Sequence, residues 1–177
     1  IGGDALTNDL VRGLSVPFAE AQRAKEQHAV ALAQLVDPQE TIDLPGPGPG
    51  QRRHVAQELI AHIVEQRLDE LFSLVEGELE QKELLGCLGA GVVLTGGTAA
   101  LQGLVEMAGQ VFAAPVRVGV PEEGLTGLAD AVRRPRFSTV TGLCLYGADC
   151  FYETGEGAST LSSGVVSSIG AWIREFF

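Results

Sequence analysis

The sequence predicts an α/β fold. Three observations carry that expectation. Apolar residues recur at helical spacing through residues 54–82, a strand–helix–strand alternation runs from Gly91 to Val118, and the turn after its first strand is Gly96-Gly97. Alternation of this kind implies a layer of strands joined by right-handed crossovers.

The bulk numbers bound the reading. A chain of 177 residues can hold one core or two small subdomains. A 45% hydrophobic content and positive mean hydropathy argue for a folded chain. A net charge of −11 argues against unassisted binding to nucleic acid, whose phosphates need Lys and Arg to replace their counterions. Cys87, Cys144 and Cys150 form no CxxC pair, and His28, His54 and His62 share no ligand spacing with them. No metal site is expected. No signal peptide or bilayer-spanning apolar stretch is present. Ile1-Gly2-Gly3-Asp4 reads as the end of a strand and its turn, so a longer polypeptide is expected.

Taken in order, Thr7 is expected to cap a short helix through Leu14, with Leu6, Leu10, Val11 and Leu14 on one face. Pro17 suits the first turn of a second helix, Phe18 to about Val36. Residues 45–50, Pro-Gly-Pro-Gly-Pro-Gly, form a loop after a short strand at Glu40–Leu44. A long amphipathic helix follows from about His54 to Lys82, and docking on a sheet is preferred to a coiled coil. Strand Gly91–Leu94, a helix from about Ala99 to Phe112 with Thr98 as its cap, and strand Val116–Val118 complete the alternation. Helical pieces are expected near Leu125–Val132 and Ser138–Tyr146, the second apolar nearly all round and therefore buried. Residues 148–164 read as a flexible polar linker.

Two constellations carry chemistry. In the tail, Val165, Val166, Ile169, Trp172, Ile173, Phe176 and Phe177 share one helical face, with polar residues opposite. Aromatic residues on a short amphipathic helix suit the boundary between headgroups and acyl chains. Membrane docking is preferred here to packing on the chain's own domain. Arg174 is the tail's one cation and Glu175 offsets it, so a single copy should bind weakly. The second constellation pairs Lys25 and Gln22 with Gly96, Gly97 and Thr98. In a nucleotide site the first two would bond a ribose, and the turn would pass under the base. Periodicity alone reads the same residues as a solvated helix face and a packing turn.

Four stretches resemble a known family. Residues 1–10 (Ile-Gly-Gly-Asp-Ala-Leu-Thr-Asn-Asp-Leu), 19–25 (Ala-Glu-Ala-Gln-Arg-Ala-Lys), 91–98 (Gly-Val-Val-Leu-Thr-Gly-Gly-Thr) and 137–147 (Phe-Ser-Thr-Val-Thr-Gly-Leu-Cys-Leu-Tyr-Gly) occur in the order and spacing of the bacterial FtsA family. The aromatic tail is a further point of likeness. PilM-like pilus proteins are the nearest alternative, and the tail argues against them. The resemblance implies an actin-like (ribonuclease H-like) fold. Residues 1–36 would be the later part of subdomain 2A, residues 37–118 subdomain 2B, and residues 119–147 a return to 2A. The linker and a membrane-targeting helix, residues 165–177, would follow. It also implies ATP with Mg²⁺ as a ligand of the full-length protein only, this chain being expected to lack the phosphate loops and to bind nucleotide poorly by itself, together with self-association into filaments and anchoring of the FtsZ ring at the cytoplasmic face of the inner membrane at the septum. Gly96, Gly97 and Thr98 match the adenosine motif and Lys25 a ribose-contacting lysine. Gln22 stands where the family usually has glutamate. Arg67, and with it Arg53 two helical repeats upstream, would meet the acidic C-terminal peptide of FtsZ, carboxylates being natural partners for guanidinium. The plainer reading of Arg67 is an ion pair with Glu70 or a neighbour. The superfamily's phosphate motifs are expected to precede Ile1, so this chain is read as an adaptor, not an enzyme, with at most weak ATPase activity in the full-length protein.

Overall fold

The structure, a computed structural model, describes residues 2–46, 48, 50–122, 125 and 129–153. Helix α1 spans Gly3–Leu14 and buries Leu6, Leu10 and Leu14, one side chain per turn. It begins a full turn before the expected cap. Thr7 is wholly buried inside the helix, and its hydroxyl lies 3.1 Å from the Gly3 carbonyl in place of a terminal N–H. Ser15 closes the helix in the left-handed conformation, and Pro17 precedes α2, Phe18–His28.

Helix α2 stops eight residues short of Val36. Val30, Ala31 and Leu32 are all buried, and three consecutive inward residues cannot share one helical face. The chain runs extended instead, Val30 bridging in parallel to Gln102 and the Ala31 N–H donating to the Gln102 carbonyl at 2.8 Å.

Strands β1 (Thr41–Pro45) and β2 (Arg52–Ala56) form an antiparallel hairpin in the register Thr41↔Ala56 to Pro45↔Arg52. The first strand matches expectation within a residue. The second corrects the sequence reading, which ran the long helix from His54. The Pro-Gly run is the hairpin's connection, and the Gly46 N–H donates to the Gln51 carbonyl at 2.8 Å.

Helix α3, Gln57–Gln81, is about 37 Å long at 1.5 Å per residue. It buries Gln57, Ile60, Ala61, Val64, Leu68 and Phe72. It packs against α1 and against α4 (Leu104–Phe112), with Phe72 and Phe112 edge to face at 5.6 Å. Its main partners are thus helices, and it also contacts β2. Strands β3 (Val92–Leu94) and β4 (Val116–Val118) pair in parallel, α4 lying between them in sequence. Val92, Leu94 and Val116 join the same apolar cluster as α1, α3 and α4. Gly91 has φ 84°, and a side chain there would collide with the Pro115 carbonyl.

Helix α4 starts at Leu104, not Ala99. A 3₁₀ turn, Gly97–Ala100, intervenes, so Thr98 lies inside that turn and caps nothing. Gly103, at φ 83°, resets the chain direction before α4. Helix α5 is a single turn, Ala129–Val132, and α6 runs Ser138–Glu153. The expectation that the 138–146 segment is buried fails. Thr141 turns inward, while Val140, Leu143, Cys144 and Tyr146 are exposed. The short turn Pro135–Phe137 packs against this helix, and the Thr95 hydroxyl, just after β3, lies 2.7 Å from Ser138 Oγ at its start. Residues 148–153, expected to begin the flexible linker, instead continue α6. The rest of that linker and the tail, residues 154–177, lie outside the described residues, and with them the membrane candidates Val165, Ile169, Trp172, Ile173, Phe176 and Phe177.

Candidate functional site

Lys25 and Gln22 project from adjacent turns of α2 toward the N-terminal end of α1. The Lys25 ammonium donates to the Gly3 carbonyl at 2.9 Å, the Thr7 hydroxyl at 2.7 Å and Gln22 Oε1 at 3.0 Å. Three N–H groups therefore meet three oxygens, and none is an ionised carboxylate. Gln22 is fixed at both ends of its amide: Oε1 faces Lys25 and the Thr7 hydroxyl, and Nε2 donates to Glu26. Burial pushes the Lys25 pKa below its ordinary 10.5, and the nearby charges of Asp4 and Glu26 offset part of that shift.

The glycine turn reaches the same place from the other end of the chain. Gly96 adopts φ 91°, ψ 178°, a conformation that glycine alone takes readily. Its N–H donates to the Pro135 carbonyl at 3.0 Å. The Thr95 hydroxyl lies 2.7 Å from Ser138 Oγ and 3.0 Å from the Gly119 carbonyl. A strap of residues 134–138 is thereby fastened over the turn. A side chain at Gly3 would approach both Thr98 Oγ1 and Lys25 Nζ, at 3.1 and 3.4 Å, so the two expected halves do converge on one spot.

Between them lies an open cavity of about 690 Å³. Gly3, Gln22 and Lys25 form one wall, Gly97 and Thr98 the floor, and Arg134, Pro135 and Arg136 the opposite wall. That volume suits a nucleotide-sized ligand, for which pockets run from roughly 300 to 1,000 Å³. Gly96 supports the floor without lining this cavity. The strap arginines were not singled out from sequence. Their only signal was two cations flanking a proline in an acidic chain.

A second cavity of about 310 Å³ lies on the other side of the turn. Leu6, Leu68, Leu71, Phe72 and Leu94 line it with Gly96 and Gly97, and Arg67 stands at its edge. Arg67 Nε and Nη2 donate to Asp9 at 2.5 and 2.9 Å, and Nη1 donates to Glu70 at 2.6 Å. The bond to Asp9, with its charge, pushes the guanidinium pKa further up. The Glu70 pair matches the plainer sequence reading. The Asp9 pair, 58 positions away, had no sequence signal.

Arg53 stands apart. It lies on β2 rather than on the long helix, lines neither of these cavities, and donates through Nη2 to the Leu14 carbonyl at the end of α1. A cation bonding the last carbonyls of a helix stabilises that terminus. No helix among the described residues is long and apolar enough to cross a membrane. No described group of three or more His, Cys, Asp or Glu side chains is placed to hold a metal ion.

Comparison with known proteins adds to this geometry. A sequence model of the family described as "Cell division protein FtsA" matches residues 1–142. The cell division protein FtsA of Pseudomonas aeruginosa is 44% identical over 147 residues, covering 83% of this chain and 35% of that protein. The FtsA of Escherichia coli strain K12 is 33% identical over 179 aligned positions, covering 97% of this chain and 42% of that one. The chain thus spans less than half the length of these curated relatives. Among solved structures, MreB5 of Spiroplasma citri bound to ADP superposes with a TM-score of 0.65 at 14% identity, covering 89% of this chain and 47% of that one. MreB 5 bound to AMPPNP gives 0.58 at 15% identity. At such identities the likeness shows the fold, which is actin-like.

Proposed function

The chain belongs to the FtsA family of cell division proteins and has an actin-like α/β fold, and from that premise we propose that it acts as an adaptor tying the FtsZ ring to the cytoplasmic face of the inner membrane at the septum. The observation that carries this reading is the cavity gathering Lys25, Gln22, Gly97 and Thr98, four residues from two distant segments. The family match favours it over a PilM-like assembly protein.

The cavity's lining is assigned to an adenosine. Lys25 and Gln22 line it with their polar atoms bonded to Gly3, Thr7, Glu26 and each other, so a ribose hydroxyl would exchange for one of those contacts, and Gly97, with no side chain, lets a flat base lie against the main chain. ATP with Mg²⁺ is assigned as a ligand of the longer protein, and this cavity would hold its adenosine. No catalytic residue is assigned in this chain, and ATPase activity, if any, belongs to the longer protein. In that protein we assign residues 1–36 and 119–147 to subdomain 2A, residues 37–118 to 2B, and filament formation to the assembled fold.

The acidic FtsZ peptide is assigned to the Arg67 face. Asp9 holds the guanidinium through Nε and Nη2, so an incoming carboxylate would displace the exposed Glu70 from Nη1. Arg53, engaged at the end of α1, is assigned a lesser part in that contact. Residues 165–177 are assigned to the membrane.

Two measurements test the reading. In liposome flotation, deletion of residues 165–177 is expected to abolish lipid binding, and unchanged binding would refute the tether. An FtsZ C-terminal peptide titrated by fluorescence anisotropy is expected to lose at least about tenfold in affinity with Arg67→Glu. Equal affinity for both proteins would remove Arg67 from the interface.

A further inference from the structure

Helix α3 runs more than two turns beyond Phe72, its last buried residue, and that end keeps an apolar face in the open. Leu74, Val75, Glu78, Leu79 and Lys82 are spaced i, i+1, i+4, i+5 and i+8, so they share one side of the helix. Together with Leu84 they line a shallow groove of about 310 Å³. Leu74 is 55% exposed, Val75 44% and Leu84 42%, so three large apolar side chains meet solvent at one place. The end of the helix is fixed rather than frayed. Glu83 takes φ 56°, a left-handed conformation usually left to glycine just past a helix end. The Glu83 N–H donates to the Glu80 carbonyl and the Leu84 N–H to the Leu79 carbonyl, each at 2.9 Å. That turn brings Leu84 back beside Leu79 to line the groove.

The groove holds one acid and one base, Glu78 and Lys82, paired at 3.4 Å and both well exposed. An exposed i,i+4 pair of this kind adds little to stability. Its direction along the helix decides what can dock. A second copy laid antiparallel across the groove sets Lys82 against the partner's Glu78, and Glu78 against the partner's Lys82, with the apolar side chains between. A parallel copy would set like charges together. Glu76 and Glu80 stand two residues either side of Glu78 and so point about 160° away from it. The other acids of this helix end are thus turned from the groove. One acid beside one base offers no net charge to a strongly charged peptide, and favours a partner carrying the same pair in reverse order.

We propose that this end of α3 is a two-fold contact between two copies of the chain, the helices crossing antiparallel over the groove and Glu78 and Lys82 pairing between copies. Such a contact closes at two copies, which separates it from the head-to-tail contact that builds a filament. Arg67 lies eleven residues before Glu78, about 16 Å along the helix, and stays outside the crossing. The inference does not depend on the nucleotide, FtsZ or membrane assignments.

Sedimentation velocity on the whole chain over a concentration series tests the contact. Wild type is expected to pass from monomer to dimer as concentration rises. Glu78→Lys and Lys82→Glu should each weaken self-association at least about tenfold, because each sets like charges together at both crossings. An equimolar mixture of the two variants should dimerise again, since a lysine then meets a glutamate at both crossings. That recovery separates the charge effect from misfolding. A general effect of net charge would instead tighten the association of Glu78→Lys, the less negative chain. Wild type that stays monomeric overturns the proposal. So does self-association that survives both reversals, the outcome expected if the aromatic tail or another surface joins the copies. A mixture that stays monomeric overturns it as well.

Discussion

Gly96 and Gly97 are neighbours of one type under different constraints. Gly96 holds φ 91° and ψ 178°, where an L side chain is strained whatever the space. Gly97 has an ordinary φ, and nothing lies within 4 Å of the side chain it lacks, because that position opens on the cavities. Gly96→Ala is expected to cost about 1–3 kcal/mol of stability. Gly97→Ala should stay within about 0.5 kcal/mol of wild type and still weaken ADP binding, since its methyl group occupies ligand space. Urea denaturation and calorimetry of the two variants separate the roles, and equal stability losses would contradict this division. Lys25 makes a second prediction at this scale. Its folded pKa lies below 10.5, so between that value and 10.5 the unfolded chain binds the extra proton. Wild type should then gain stability relative to Lys25→Met as pH rises through that window, with the full burial cost present below it. Denaturation midpoints of both proteins at pH 8, 9 and 10 check the sign.

At the scale of elements, the sequence was legible where one face is buried and the periodicity is clean. The inward rows of α1 and α3 and the strands β1, β3 and β4 follow that rule. It was illegible where long-range bonds decide. Val30 to Leu32 continue a helical composition but are captured by Gln102. Residues 54–56 fit the start of a helix as well as they fit β2, and pairing with Thr41–Asp43 chooses the strand. The hairpin in turn delivers Arg53 to the end of α1, where its Nη2 bonds the Leu14 carbonyl. Its Nε is buried without a hydrogen-bond partner, so the group is held by position more than by saturation. Arg53→Ala should therefore lower stability by about 1 kcal/mol. Arg12→Ala, on the exposed side of α1, should leave it within about 0.5 kcal/mol. Thermal melts of the two variants decide, and indistinguishable midpoints would mean that Arg53 does not cap the helix.

At the scale of the whole molecule, the cavity is what the fold makes and no local pattern announces. Its walls come from the start of α1, one face of α2, the turn after β3 and the strap before α6. Lys25, Gln22, Gly97 and Thr98 were legible as candidates because their residue types suit a ribose and a base. Arg134 and Arg136 were not, because their placement depends on the bond from the Gly96 N–H to the Pro135 carbonyl, 39 positions away in sequence. The same bond makes a prediction that none of the segments makes alone. A ligand filling this cavity must order all four walls together, and one held at a hundred times its dissociation constant adds about 2.7 kcal/mol to stability. Hydrogen exchange with and without saturating ADP should then slow in residues 2–7, 22–26, 96–101 and 134–138 as one group, with a common increment. The distal turns of α3, where Leu74 and Val75 are exposed, should not change. Slowing confined to the glycine turn would mean that the strap and α2 do not close on the nucleotide and that the cavity is only the gap between them.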